Sequence, residues 1–246
     1  MPDLSVQLYS IRDAVAADLP GSLARLAAIG VTRVEPFDLR DPARLRDALA
    51  AAGLTAPSVH ARLGADAELD RVFEAAATVG ARTVIHPYTP PERWTSSAGV
   101  DAVADELARA ADAARGYGLR VGYHNHHWEL ASRLGGRPAL ERLAERLPPA
   151  VVLELDTYWA AVGGEDVPAL LGRLGDRVRL LHLKDGPIDD DKAAQLPLGA
   201  GAMPVHAILS AATAAELAVL EFDDYAGDLF DGLAAGRAFA NGLGLR

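Results

Sequence analysis

The sequence predicts an α/β chain folded as a single (β/α)8 barrel over residues 1–246, and three observations carry that prediction. Strand-like runs rich in β-branched residues and leucine alternate eight times with amphipathic Ala/Leu/Arg runs, at about 30 residues per unit. Titratable side chains gather where the strand-like runs end, the place from which such barrels present their chemistry. No Gly-x-Gly-x-x-Gly turn follows the first strand, which removes the support for an open dinucleotide-binding sheet.

The first unit pairs a strand over Leu4–Ser10 with a helix from about Pro20 to Ile29. Val31–Phe37 leads into a helix near Asp41–Ala52, where Asp41 suits the N-cap and Pro42 the first helical position, whose N–H has no intrahelical acceptor. Leu54–His60 precedes a helix over Asp66–Gly80, and Arg82–Tyr88 runs through the Pro90-Pro91 loop into a long helix over about Gly99–Tyr117. The fifth strand, Leu119–His124, is followed by a helix over Arg137–Leu147, with Gly135-Gly136 as the break. Ala150–Asp156 precedes a shorter helix near Val167–Leu174. Arg177–Lys184 opens onto a long loop, Gly186–Met203, and then a helix around Pro204–Thr213. Glu216–Phe222 and a last helix over about Leu229–Leu243 complete the eighth unit.

Composition narrows the functional classes. A formal charge of −10 with no clustered Lys or Arg argues against a nucleic-acid-binding face. No apolar run approaches the roughly 20 residues that span a bilayer, and no basic and apolar leader precedes the first strand. A cytoplasmic protein without membrane contact is therefore expected. The absence of cysteine excludes disulfides, thiolate ligands and cysteine nucleophiles, so a metal ion would rest on His, Asp and Glu. Among 24 basic residues only Lys184 and Lys192 are lysines, which draws attention to a lysine kept at a strand end.

The polar set at the strand ends comprises Gln7 and Tyr9, Glu35, His60, His86, His124 with Asn125 and His126, Glu154 and Asp156, His182 with Lys184 and Asp185, and Glu221 with Asp223. Of the seven histidines only His206 falls in a helix. One strand-end histidine alone is more often a structural residue; six at one rim indicate a site. Asp156, His182 and Glu221 end strands six, seven and eight and would present a mixed carboxylate and imidazole cage, with His124 on strand five as the fourth member. Such donors suit one divalent ion. Strand alternation places His124 and His126 on one face and Asn125 on the other.

Several segments together carry a family resemblance: Gln7-Leu-Tyr-Ser-Ile-Arg12, Val34-Glu35, Tyr123-His-Asn-His126 with Glu129, Leu155-Asp-Thr-Tyr-Trp159 with Gly163-Gly164, His182-Leu-Lys-Asp185, Leu198-Gly199 with Gly201, and Glu221-Phe-Asp223. The chain resembles the sugar phosphate isomerase/epimerase family of xylose isomerase-like TIM barrels. That group includes ketose epimerases of the tagatose type, hydroxypyruvate isomerases, inosose dehydratases and type IV endonucleases. The resemblance implies a small-molecule sugar substrate and one divalent ion (Mn, Mg, Co or Zn) at His124, Asp156, His182 and Glu221. It also implies that homo-oligomers occur, a state the sequence itself leaves open. One departure stands out: the epimerases and hydroxypyruvate isomerases carry a glutamate base where this chain has His124, which points toward other sugars or toward elimination. A type IV endonuclease would need a histidine at the position of Trp159 and a basic face, and both are missing.

In such a site an ion chelated by a ketone and its neighbouring hydroxyl acidifies the carbon between them and stabilises the enediolate. The fate of the proton or leaving group then decides between isomerisation, epimerisation and β-elimination. The expected roles are Glu221 as ligand and base, Lys184 as acid or electrostatic stabiliser, and His126 or Glu129 as second proton carrier. Gln7, Tyr9, His60, His86, Asn125, Trp159 and Asp185 are expected to contact substrate. Glu35 and Glu154 precede the rim and are expected to pair with arginines or to orient ligands from behind. Gly186–Met203 is a candidate lid, and its Asp189-Asp190-Asp191 run argues against a phosphorylated substrate. The leading expectation is a metal-dependent isomerase or epimerase on a keto sugar or polyol derivative. A dehydratase on a 3-keto or inosose-like substrate is the alternative, ahead of a sugar-binding barrel without catalysis.

Overall fold

The computed structural model describes residues 1–64 and 67–246. Eight parallel strands follow in chain order: β1 Asp3–Gln7, β2 Val34–Glu35, β3 Ser58–His60, β4 Thr83–His86, β5 Arg120–His124, β6 Val151–Asp156, β7 Val178–Leu183 and β8 Leu217–Leu220. Neighbours in sequence are neighbours in the sheet, and β8 returns to pair with β1, Asp3 standing opposite Leu217. At the remaining seam, β2 and β3 are joined by the bridge between Arg33 and Thr55 and by Val34 N–H donating to the Thr55 carbonyl at 2.9 Å. A barrel wrapped by helices results, as the alternation predicts.

The strands are shorter than their apolar runs for a backbone reason. Pro36, Pro57 and Pro87 flank β2, β3 and β4, and a residue without an N–H cannot extend a ladder. Tyr9 correspondingly lies past β1, in a 3-10 turn over Leu8–Ile11. The helix after β2 spans Pro42–Ala52, with the Asp41 carboxylate accepting from Arg44 N–H at 3.1 Å. The expected helix start at Asp66 lies outside the described residues; the helix there spans Leu69–Thr78. Short helices over Arg12–Ala17 and Thr157–Val162 add to the expected set. Gly135 and Gly136, at φ 60° and 84°, turn a small hairpin between Arg133–Leu134 and Arg137–Pro138, the positive-φ pair that a two-residue hairpin loop requires.

Side-chain alternation sets the barrel interior. Ile85, Val152, Leu180, Leu217 and Val219 form an apolar floor. β5 contributes Gly122 at this level, where a Cβ would come 2.5 Å from Ile85 Cδ1 and 3.2 Å from Val152 Cγ2. Two residues further along β6, β7 and beyond β8, the same face carries Glu154, His182 and Glu221, all buried. Among the described residues no helix is long and apolar enough to cross a membrane.

Candidate active site

A cavity of about 640 Å³ opens at the carboxyl ends of the strands. Its buried lining is His60, His124, Trp159, Lys184 and Glu221, and the rest of its walls come from the segments that follow the strands. Tyr9 and Phe37 rise after β1 and β2, Tyr88 after β4, His126, His127 and Trp128 after β5, Trp159 after β6, and Asp190 and Lys192 after β7.

At the base, ligand atoms of His124, Asp156, His182 and Glu221 all lie within 4.8 Å of one another, and all four residues are buried. Burial and the charge of His182 hold the His124 imidazole well below its ordinary pKa, so it is neutral with a lone pair to give. Its Nε2 lies 3.8 Å from Asp156 Oδ2, while His182 Nδ1 lies 2.7 Å from Glu221 Oε2. Two imidazoles and two carboxylates converging in this way are the donor chemistry of a divalent ion, and the residues present fit one.

Behind these donors stands a carboxylate pair. Glu154 Oε2 lies 2.6 Å from His60 Nε2, 3.1 Å from His182 Nε2 and 3.3 Å from His124 Nδ1. Glu35 Oε1 lies 2.8 Å from His182 Nε2 and 3.0 Å from His60 Nε2, and it also accepts from the Gln7 amide at 2.8 Å. Burial and the neighbouring Glu35 push Glu154 up, but the His182 and His60 charges prevail and bring it to about 2. His60 shows the converse: burial lowers it, Glu35 and Glu154 outweigh that, and its pKa rises to about 9. Each imidazole donor thus has one ring nitrogen toward the rim cluster and the other toward a carboxylate, the arrangement that fixes tautomer and ring orientation at metal sites.

Lys184 is the third positive group. Its Nζ lies 2.6 Å from Asp156 Oδ2, 2.8 Å from Glu221 Oε2 and 2.9 Å from Asp223 Oδ2. Burial alone would depress the ammonium, yet the charges of Asp156, Asp223 and Glu221 hold it well above the usual lysine range. Burial likewise favours protonation of Glu221, but Lys184 and His182 keep its carboxylate ionised far into acid. His126 stacks on Trp128 with ring centroids 4.3 Å apart and planes 8° apart. Burial, followed by the Lys184 charge, brings its pKa down to about 3.

The cavity brings together Tyr9, His60, His124, His126, Trp159, Lys184 and Glu221, with Asp156 and His182 directly beneath. Other expected contacts turn out to be scaffolding. His86 follows the inward-facing Ile85 and so points away, its Nδ1 accepting from Leu63 N–H at 3.0 Å. Asn125 clamps β5 to β6, its carbonyl accepting from Asp156 N–H at 2.9 Å. Asp185 spends both oxygens on Gly186, Met203 and Gly199 N–H groups, at 2.9, 3.0 and 2.8 Å. Gln7 is consumed by Glu35 and by Tyr9 N–H. Glu129 is fully buried, with Tyr123 O–H donating to it at 2.7 Å and His126 N–H at 2.9 Å, so it positions the β5 loop and does not reach the cavity. Arg62, Tyr88, Trp128 and Lys192 also line the cavity without having been expected to; Arg62 and Tyr88 sit on loops, and Trp128 and Lys192 open short helical turns, where no periodicity marks a side chain's direction.

Comparison with known proteins agrees with the fold. A structure of a sugar phosphate isomerase/epimerase from Parabacteroides distasonis superposes with a TM-score of 0.82 at 24% identity, over 97% of this chain and 93% of that one. The IOLI protein, solved with a binding zinc atom, gives a TM-score of 0.74 at 14% identity, over 98% and 97% of the two chains. Inosose dehydratase of Geobacillus kaustophilus (strain HTA426) is 35% identical over 86 residues, which is 35% of this chain and about a quarter, 27%, of that relative's length. A family model described as xylose isomerase-like TIM barrel matches residues 23–225, most of the chain, and the protein belongs to that family.

Proposed function

We propose that the protein is a divalent-metal-dependent enzyme that isomerises or epimerises a keto sugar or polyol derivative by moving a proton from the carbon beside the carbonyl. The observation that carries this reading is the convergence of His124, Asp156, His182 and Glu221 at the base of a sugar-sized cavity. A divalent ion held by those four residues supplies a Lewis acid that favours charge on the substrate's carbonyl oxygen. Lys184, kept charged by three carboxylates, offers a second positive group at the same depth and stabilises the enediolate electrostatically. Glu221, held as a carboxylate by Lys184 and His182, serves as a ligand. His126, neutral and in the cavity wall, is the group placed to accept the proton, with Glu129 holding its backbone.

Elimination from a 3-keto or inosose-like substrate would begin with the same proton abstraction. Two observations favour keeping it as the second reading: the β5 side of the cavity presents His124, His126 and His127 and no carboxylate, and the curated relative is a dehydratase. Manganese-loaded protein incubated with a panel of keto sugars in D2O tests both. Deuterium beside the carbonyl without loss of water supports isomerisation or epimerisation; deuterium with dehydration supports elimination. Retention of every carbon-bound proton across the panel, with metal bound, sinks both.

A further inference from the structure

Resting on the keto-sugar reading of this site, we infer that its substrate carries a second ring, as a disaccharide or glycoside does. The keto ring lies over the donor cluster and the second ring against Tyr9 and Phe37. Size is the first argument. At about 30 Å³ of liquid volume per water, 640 Å³ is the space of roughly 20 waters, and covalently bonded sugar atoms pack more closely than that, so a disaccharide of about 23 non-hydrogen atoms fits. A single ring of about 12 would leave more than half of the space to water.

Arrangement is the second argument. With the strands in chain order around the barrel, β1 and β2 lie across the axis from β5 and β6. Tyr9 and Phe37 therefore face Trp128 and Trp159 over the mouth. Trp159 belongs to the chemical end, because its indole N–H donates to Asp223 at 3.2 Å and Lys184 Nζ lies 5.7 Å from its ring. Tyr9 and Phe37 have no such tie. Their rings meet edge to face at 5.3 Å and 88°, and the Arg12 guanidinium sits 4.5 Å over Tyr9, yet Tyr9 remains 41% exposed. A ring fixed by two neighbours and left bare to solvent is a ready platform for the apolar face of a sugar. The cavity is also open on this side: Phe37, His60, Ala61 and Arg62 line an adjoining groove of about 760 Å³.

Charge is the third argument for an uncharged ring at this end, since the arginines of the segments after β1 and β2 are already engaged, while Arg62 and Lys192 line the cavity elsewhere. Arg12 is committed to the Tyr9 and Asp223 carbonyls at 3.0 and 3.1 Å, and Arg40 to the Asp38 carboxylate.

Quenching of tryptophan fluorescence tests the inference without turnover, since Trp128 and Trp159, two of three tryptophans, line the cavity. The probes are fructose as the single ring and lactulose, turanose and leucrose as disaccharides containing a ketose unit. At least one disaccharide is expected to bind about tenfold tighter than fructose, and Tyr9→Ala/Phe37→Ala to bring that ratio within about twofold, circular dichroism showing the variant folded. Fructose binding as tightly as all three disaccharides, no disaccharide binding, or a preference that survives the double variant overturns the inference. Failure here is distinguishable from failure of the catalytic reading. Loss of the two-ring preference with metal binding and exchange in D2O intact removes only the second-ring site. A retained preference in a protein that neither binds metal nor exchanges protons removes only the catalysis.

Discussion

Glu154 touches no part of the cavity, yet three imidazoles meet on one of its oxygens, at 2.6, 3.1 and 3.3 Å. Its own Oε1 is buried with no hydrogen-bond partner among the described residues, so the carboxylate is held by charge and by those rings. Glu154→Gln keeps the shape, removes the charge and presents an amide N–H to rings that need an acceptor. Manganese affinity is expected to fall about 10–100-fold with the stoichiometry unchanged, as read by calorimetry. A drop in stoichiometry would instead make the deeper quartet of His60, His124, Glu154 and His182 the seat of the ion. His86 gives a second residue-scale prediction, this time about stability. Burial, then the charge of Arg62, lowers its pKa from 6.5 to about 4, and its Nδ1 must stay unprotonated to accept from Leu63 N–H. Because the folded pKa lies below the unfolded one, the unfolded chain takes the proton first as pH falls through 6.5. Folding free energy is thus lost between pH 6.5 and about 4, and about 2 kcal/mol of it has gone by pH 5. In His86→Asn, whose carbonyl can replace Nδ1 as acceptor, denaturant melts from pH 8 to 5 should lack that component. Equal pH dependence in both proteins would refute the assignment.

At the scale of elements, the loop from Gly186 to Met203 owes its shape to Asp185, which gathers backbone N–H groups from both ends of the segment. Removing the carboxylate in Asp185→Ala leaves three buried or half-buried donors without it. A loss of about 2–3 kcal/mol is expected, together with faster hydrogen exchange confined to residues 186–203. Because Asp190 and Lys192 reach the cavity from this loop, KM should rise more than kcat falls. Uniform destabilisation without local exchange would show that the loop does not depend on Asp185. The elements differ in how legible they are in sequence, and the difference is local versus tertiary. Asp41 and Pro42 act on their own helix start, and the helix over Val167–Leu174 carries its own apolar stripe, so both were readable. Thr157–Val162 was not, because Thr-Tyr-Trp reads as strand and the helix starts only where Asp156 accepts from Trp159 N–H at 2.8 Å. Position at the strand ends made Asp156, His182 and Glu221 legible as one set, whereas His86 shares that position and yet follows the inward-facing Ile85 and points away, which only the structure shows. The roles of Asp185 and Asn125 needed tertiary partners that sequence does not name.

For the whole molecule, the upper half of the barrel interior is a charge assembly standing on an apolar floor. Glu35, Glu154, Asp156, Glu221 and Asp223 share it with Lys184, His60 and His182, whose positive charges those carboxylates stabilise. Carboxylates outnumber these cations, so a divalent ion adds charge of the sign the interior lacks. It would bind the folded barrel, where four strands deliver the donors, and not the unfolded chain, where nothing gathers them. Binding at 100 times Kd is therefore worth about 2.7 kcal/mol of stability. For a domain of this size that corresponds to a rise in Tm of about 5–10 °C over chelator-treated protein. Imidazole donors must release protons to bind, so the rise should be larger at pH 8 than at pH 6. Asp156→Ala lowers the baseline on its own account by removing a helix cap, which makes the shift on adding manganese, and not Tm itself, the quantity to compare. That shift should vanish in Asp156→Ala and in Glu221→Gln. If both variants keep it, the ion is binding elsewhere, and the convergence of the four strand ends is a buried ion-pair network without a metal.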